Sequence, residues 1–343
     1  MSLQIKKVSG IRDFSIFVRM ARPAGAYREV GEIPPDRMED YSPATNPVHR
    51  HLEAQYFIAY RDNRPTGRIA AIKDHLNPQQ DTGFFGCFEC ENDAVAASAL
   101  IETARDWLAR KGCTVMVGPA TFNSNQKVGF LLKGYSRKPQ PTLPHNPPYY
   151  NDLMLESGLK KETDLLTFTW HKEMGVTEKI AGYARQAAGY PGLALSRLNP
   201  FNGRAGALTR DLFNGTMSGN WGYIPLTMEE SASMMSFCAM HADPDFMVIM
   251  WAEGKPAGIA IFLPTGQRGP QKSIRAAILG VMPEFRGKGL YAYLINHLIA
   301  VMVNKKYDLA DVSQIHEDNR PMIKILSDMG LKESGRYRVY TTR

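Results

Sequence analysis

Cysteine is scarce in this chain: Cys87, Cys90, Cys113 and Cys238 are the only four in 343 residues. A disulfide framework needs a denser supply, so reduced thiols and a reducing compartment are expected. Cys87 and Cys90 form a C-x-x-C, but no second cysteine pair or close histidine completes a zinc set, and they read as structural thiols in a strand. His49 and His51 are a lone pair expected in a loop, and no metal site is expected. Long hydrophobic runs are also missing. The longest candidate, 290–303, is interrupted by Asn296 and His297 and falls short of the roughly 18 residues of a membrane span. The opening Met1-Ser2-Leu3-Gln4 has no apolar signal core, so a cytoplasmic location without membrane contact is expected. Charge of one sign is modest, 41 Lys+Arg against 34 Asp+Glu for a net +7, and the basic residues are scattered. A nucleic-acid binder usually concentrates them in a stripe; a mild excess suits an anionic ligand. No G-x-S-x-G is present to support serine-hydrolase chemistry.

What is present is an ordinary globular composition, 44% hydrophobic and 22% charged, at a length that admits two domains. Two stretches occur twice in the same order. Arg64-Pro65-Thr66-Gly67-Arg68-Ile69 and Lys255-Pro256-Ala257-Gly258-Ile259-Ala260 each read as a turn feeding a strand. Asn146-Pro147-Pro148-Tyr149 leading to Gly158-Leu159-Lys160, and Asn319-Arg320-Pro321-Met322 leading to Gly330-Leu331-Lys332, each read as a helix closed by glycine and followed by a strand. An internal duplication follows. The expected division is a domain at 1–175, a linker at 176–192 and a domain at 193–343. Gly67 and Gly158 are 91 positions apart but Gly258 and Gly330 only 72, so the first half carries extra chain, assigned to a long loop at 121–150 that is either functional or a structural lid.

The most informative stretch is Val281-Met282-Pro283-Glu284-Phe285-Arg286-Gly287-Lys288-Gly289-Leu290-Tyr291. It joins Ala276–Met282, apolar enough for a strand buried on both faces, to a helix with Leu290, Leu294, Leu298 and Met302 at four-residue spacing. The first N–H groups of a helix lack internal partners and attract anions. Gly287 and Gly289 leave those amides uncovered, and Arg286 and Lys288 add positive charge, so a pyrophosphate is the expected occupant. The spacing does not fit a nucleoside-triphosphate loop, because Gly289 stands where a Ser or Thr is needed after Gly287-Lys288. A dinucleotide fingerprint would open its domain rather than close it.

Strand, V-x-P-x-x-R-x-x-G-x, helix, strand and then Asn319 at a helix start resemble the GNAT superfamily of acyl-CoA-dependent N-acyltransferases. The resemblance covers roughly 193–343, and the duplication extends a weaker version over the first half. It implies an α/β fold of two GNAT-like domains, each a mixed, mostly antiparallel central sheet flanked by helices. It also implies acetyl-CoA as cofactor, with Arg286, Gly287, Lys288, Gly289, Leu290 and Tyr291 holding the pyrophosphate. Leu279, Gly280, Val281, Met282 and Asn319 would hold the pantetheine arm. Tyr291 departs from the small residue usual there. The matching junction of the first half, Glu89-Cys90-Glu91-Asn92-Asp93-Ala94, has no glycine and three carboxylates, which implies one coenzyme A per chain.

An amine with a pKa of roughly 10.4 must lose a proton before it attacks a thioester. The family's tyrosine acid would fall at Leu326, and the central strand 273–282 carries no Asp or Glu. Substitutes are Glu317 and Asp318, with His316, against the alternative of a helix cap, and Tyr293 or Tyr291 against the alternative of packing. Trp221 is expected in the core and Thr227 as a helix cap. The implied activity is acetyl transfer to a small-molecule or peptide amine. The alternatives are a coenzyme A-binding sensor or scaffold without catalysis and, resembling the same layout, a Fem-type aminoacyl transferase.

Overall fold

A computed structural model describes residues 2–20, 38–137, 139–140, 142–266 and 271–343. The chain divides into two compact units, 1–165 with 222–224 and 335–343, and 166–221 with 225–334. Each is a mixed sheet flanked by helices.

The first unit contains β1 (Leu3–Lys7), α1 (Gly10–Arg19), β2 (Leu52–Arg61), β3 (Arg64–Asp74), β4 (Thr82–Cys90), α2 (Ala94–Arg110), β5 (Val115–Gly118), β6 (Phe130–Lys133), α3 (Tyr149–Glu156) and the first half of β7 (Lys160–His171). Strands β1 to β4 pair antiparallel in sequence order, and β5 joins β4 in parallel. The hairpin between β2 and β3 turns at Asp62 and Asn63, both with positive φ, as a two-residue turn that follows the sheet twist requires. Apolar residues of α2 (Ala97, Leu100, Ile101, Ala104, Leu108) and α3 (Leu153, Met154) close one core. Burial pushes the Cys90 thiol up to about 12, in keeping with a structural role. His51 precedes β2 and is buried, its Nδ1 2.9 Å from the fully buried Asp74 carboxylate. Among the described residues no group of three ligands could hold a metal.

The second unit contains the rest of β7, α4 (Glu178–Ala187), β8 (Ala194–Arg197), α5 (Ala205–Met217), α6 (Met228–His241), β9 (Met247–Ala252), β10 (Lys255–Gly266), β11 (Ser273–Val281), α7 (Leu290–Asn304), β12 (Leu309–His316), α8 (Arg320–Asp328) and the start of β13 (Glu333–Thr341). Strands β8 to β11 are antiparallel and β12 is parallel to β11. The β9–β10 turn again uses two positive-φ residues, Glu253 and Gly254. Gly158 and Gly330, both at φ 78, close α3 and α8, so the second repeated motif also recurs in backbone conformation.

Three expectations change. The stretch 176–192 is not a bare linker, because α4 buries Ile180, Ala184 and Ala187, and Ile180 and Ala187 belong to the core shared with Leu290 and Leu294 of α7. Strand β11 is not uniformly buried: Ile274, Ala276 and Ile278 are buried and Arg275, Ala277 and Leu279 are half-buried. A register shift against β10 leaves Ala277 as the extra residue between Ala276 and Ile278. It moves Ile278 from the α7–α8 core to the α5–α6 core. The stretch 121–150 is not one loop, since it holds β6 and the first two residues of α3. Among the described residues no helix is long and apolar enough to cross a membrane.

Candidate active site

The site of the second unit is built around a strand pair that separates. Strands β11 and β12 share register only from Ser273/Leu309 to Ala276/Val312, yet they continue to Val281 and His316. On its other edge β11 remains bonded to β10 as far as Val281. The edge of Ala277 to Val281 that faces β12 therefore has backbone groups which that neighbour does not use, and an amide-bearing chain can complete it as an added strand. Gly280 is glycine because α5 lies over it: a Cβ there would stand 2.6 Å from Cβ of Thr216.

The end of β11 leads into the glycine loop. Met282 N–H bonds Ala257 O at 2.9 Å, and Phe285 is buried in a short 3-10 turn. Gly287 and Gly289 then take φ of 74° and 75°, and α7 begins at Leu290 with no side-chain cap. Left-handed residues on either side of Lys288 turn successive N–H groups toward one side, ahead of an uncapped helix N-terminus. Backbone of this kind is able to seat a phosphate group. Two sequence-based assignments fall differently. Arg286 points back, with Nε bonded to Val281 O (3.0 Å) and Nη2 to Thr216 O (2.8 Å), so it ties the loop to α5. Lys288 Nζ bonds Tyr190 Oη at 2.8 Å, and Tyr190 in turn bonds Glu253 Oε1 at 2.6 Å.

Across the gap, Asn319 accepts the Met322 N–H at 3.2 Å and caps α8. Tyr291 is directed into the core, where burial raises its hydroxyl pKa and its Oη lies 3.0 Å from Met322 Sδ. Tyr293 also packs on that core, and Leu326 is 1% exposed within it. Both tyrosines therefore serve packing. Asp318 has a side chain 73% exposed and faces Arg320 at 3.7 Å, on the solvent side of the turn, and Glu317 precedes it half-buried. Residues that sequence reasoning left without chemistry lie here too. Trp221, on the chain leaving α5, stacks on His316 at the end of β12, ring centroids 5.8 Å apart and planes 11° apart. Thr227 forms a capping box with Glu230 at the start of α6, as expected.

The first unit repeats the scaffold with the seat filled. Asp93 caps α2, accepting from Val95 and Ala96 N–H at 3.1 Å each, and is paired with Arg61. Strands β4 and β5 share register only from Thr82/Val115 to Phe84/Val117, and the chain itself bonds the edge beyond. Tyr150 Oη accepts the Cys90 N–H (3.1 Å), Tyr149 Oη donates to Cys90 O (2.8 Å), and Ala120 N–H bonds Phe85 O (2.8 Å).

Residues 209–331 match the model of the acetyltransferase (GNAT) family. Over this stretch the chain is similar to that family. Among known proteins, this chain is similar to a bacterial ceramide synthase of Caulobacter vibrioides, 29% identical over 339 residues that cover 89% of this chain and 88% of that one. It is also similar to protein YghO of Escherichia coli, 27% identical over 346 residues, 90% and 87% of the two chains. The fold is that of tandem GNAT proteins. One from the clavulanic acid biosynthesis pathway superposes with a TM-score of 0.58 over 99% of this chain and 98% of that one, at 13% identity. A GNAT protein from Sphaerobacter thermophilus gives 0.55 over 99% and 95%, also at 13% identity.

Proposed function

We propose that the chain is an acyl-CoA-dependent N-acyltransferase that uses one acyl-CoA in the second unit and joins its acyl group to a primary amine. The observation that carries this reading is the separation of β11 from β12 directly above an uncapped, glycine-lined helix N-terminus. One feature offers an amide-bonding edge and the other an anion seat, and coenzyme A has both an amide-containing arm and a pyrophosphate. The Ala277–Val281 edge would hold the arm, and the amides of Gly287 to Leu290 the pyrophosphate. When bound, the thioester supplies an activated acyl carbon. Strand amides near Val281 orient it, and the amine must arrive deprotonated.

The acceptor we propose is the amino group of a long-chain amino alcohol. Similarity to a protein named bacterial ceramide synthase along nearly the whole chain supports this, since a ceramide is the amide of such a base. The acyl donor then ranges from acetyl-CoA upward. One experiment tests the reading: acyl-CoAs from acetyl to long-chain, each with a sphingoid base or with small amines and peptides, followed by thiol release and product mass. An N-acylated sphingoid base is the expected product. Thiol release only with small amines or peptides would overturn the lipid acceptor, and absence of saturable acyl-CoA binding would overturn the acyltransferase. A second reading, a coenzyme A-binding protein without catalysis, is favoured by Leu326 in the core and the acid-free strand β11; binding without turnover over the whole panel would support it.

A further inference from the structure

We propose that His316 is a catalytic residue of the acyl transfer, acting as a neutral hydrogen-bond donor to the oxygen that becomes negative when the amine adds to the thioester. The inference rests on the reading above and chooses among the substitutes named from the sequence, His316 rather than Glu317 or Asp318.

Position comes first. His316 is the last residue of β12, four beyond Val312, where pairing with β11 stops. The residue therefore stands at the end of the strand that borders the gap. Trp221 reaches it from the chain leaving α5, and α5 itself lies over β11 at Gly280 and is bonded through Thr216 O to Arg286. The stacked pair thus joins the chain that follows α5 to the end of β12. Stacking at 11° fixes the plane of the imidazole, which an isolated strand-end histidine would not have.

Protonation follows from the hydrogen bonding. The Asp318 N–H lies 3.2 Å from His316 Nδ1. A backbone N–H can only donate, so Nδ1 must accept, and a neutral ring then carries its hydrogen on Nε2. A neutral imidazole with Nε2–H cannot serve as a strong acid, because losing that hydrogen would leave an imidazolate. It can polarise a carbonyl. In the proposed step the amine nitrogen forms a bond to the carbonyl carbon, the C=O electrons move to oxygen, and Nε2–H bonds that oxygen. Collapse restores C=O, breaks the C–S bond, and the proton lost by nitrogen ends on the thiolate. The ring has neither gained nor lost a proton. Trp221 is a positioning residue in this scheme.

The test uses the full chain with an acceptor that the wild type turns over. His316→Ala is expected to lower kcat by about 10²- to 10³-fold, the usual effect of removing one oxyanion donor, with the dissociation constant of acyl-CoA unchanged. His316→Gln keeps an N–H near the Nε2 position and is expected to recover to within about tenfold of wild type. Trp221→Phe is expected to keep activity and Trp221→Ala to lower it. Unchanged kcat in His316→Ala overturns the proposal. So does a parallel loss of acyl-CoA binding, which would make the ring a support for the α8 turn. A Gln variant as slow as Ala overturns the donor role in favour of a base. A wild-type protein without turnover on any amine overturns both this inference and the function on which it rests.

Discussion

The two units answer the same structural question in opposite ways. In each, a parallel strand pair separates after a few residues and a helix starts at the end of the strand that continues. In the first unit every opening is closed from within: the Asp93 carboxylate occupies the helix N-terminus, and the hydroxyls of Tyr149 and Tyr150 bond Cys90 O and N. In the second, α7 has no side-chain cap, two glycines approach it in left-handed conformation, and the β11 edge is left by its parallel neighbour after Ala276. On the function proposed above, a phosphate and an amide arm would satisfy in the second unit what the chain satisfies itself in the first. In the first unit the chain provides a carboxylate and two phenols at those places. The first unit is thus a folded copy in which protein groups satisfy the backbone that a ligand would satisfy in the second.

The largest effect is expected where the internal plug is removed. Tyr150 is fully buried between Phe88 and Phe130, so Tyr150→Ala should destabilise by about 3–5 kcal/mol in denaturant unfolding and yield no second coenzyme A site, because Asp93 stays. A stoichiometry of two per chain would break the comparison. Next comes the opposite manipulation, giving the second unit the carboxylate of the first. Gly287 is the position for it: a Cβ there meets nothing within 4 Å, and Asp tolerates positive φ better than most residues. Gly287→Asp should weaken acyl-CoA binding by about 100-fold in titration calorimetry while costing only about 1–2 kcal/mol of stability. Gly289 would be a poor choice, because a Cβ there stands 3.1 Å from Tyr183 O and 3.3 Å from Ala187 Cβ, and lost binding would be confounded with lost packing.

A smaller effect is expected from Asp93→Ala, about 1 kcal/mol for the lost cap. The pH dependence sharpens it. Burial raises the Asp93 pKa, but bonds from Ala96 N–H and Arg61 outweigh burial and leave it below its ordinary 3.8. A depressed carboxylate contributes stability that is fully present above the unfolded value and lost as pH falls through the folded one. The difference between wild type and variant should therefore be constant above about pH 5 and shrink below about pH 4. A difference that grows with acidity would mean that Asp93 is not the cap.

Local patterns carried much of this architecture in the sequence. The four-residue spacing of leucines in α7, the Gly330 stop of α8 and the two repeated motifs each depend on neighbours along the chain, and composition could register them. The three carboxylates around Asp93 were legible as repulsion, yet their role as a cap needs Arg61, 32 residues away, to offset the charge. Helix α4 escaped because its buried face consists of Ile180 and two alanines, too small a signal against an assumed linker. Tyr149 and Tyr150 fell both at the end of the stretch read as a long loop and at the start of a helix motif, and their bonds to Cys90, 59 and 60 residues away, left no trace in the sequence. Arg286 looked like a phosphate ligand because its partner, Thr216 O, is 70 residues away. The Trp221–His316 stack joins residues 95 positions apart, and no period or motif in the sequence could have brought them together.

The smallest expected effect tests how much of the anion seat is charge and how much is backbone. Lys288 stands between the two glycines, where a sequence reading makes it the main attractor of a pyrophosphate. Its ammonium instead bonds Tyr190 Oη and lies 5.2 Å from the Tyr190 ring centroid, and that hydrogen bond, together with Tyr190 and Glu253 nearby, raises its pKa despite the opposing effect of desolvation. A cation so placed acts on a phosphate only at a distance, through water and salt. Lys288→Ala should therefore weaken acyl-CoA binding by less than about tenfold at physiological ionic strength, and the gap from wild type should narrow as salt is raised. Gly287→Asp, acting at the backbone seat, should keep most of its larger defect in the same salt series. If the lysine variant lost binding as completely as the aspartate variant, the seat would be a cluster of side-chain charge, and the uncapped helix would no longer separate the second unit from the first.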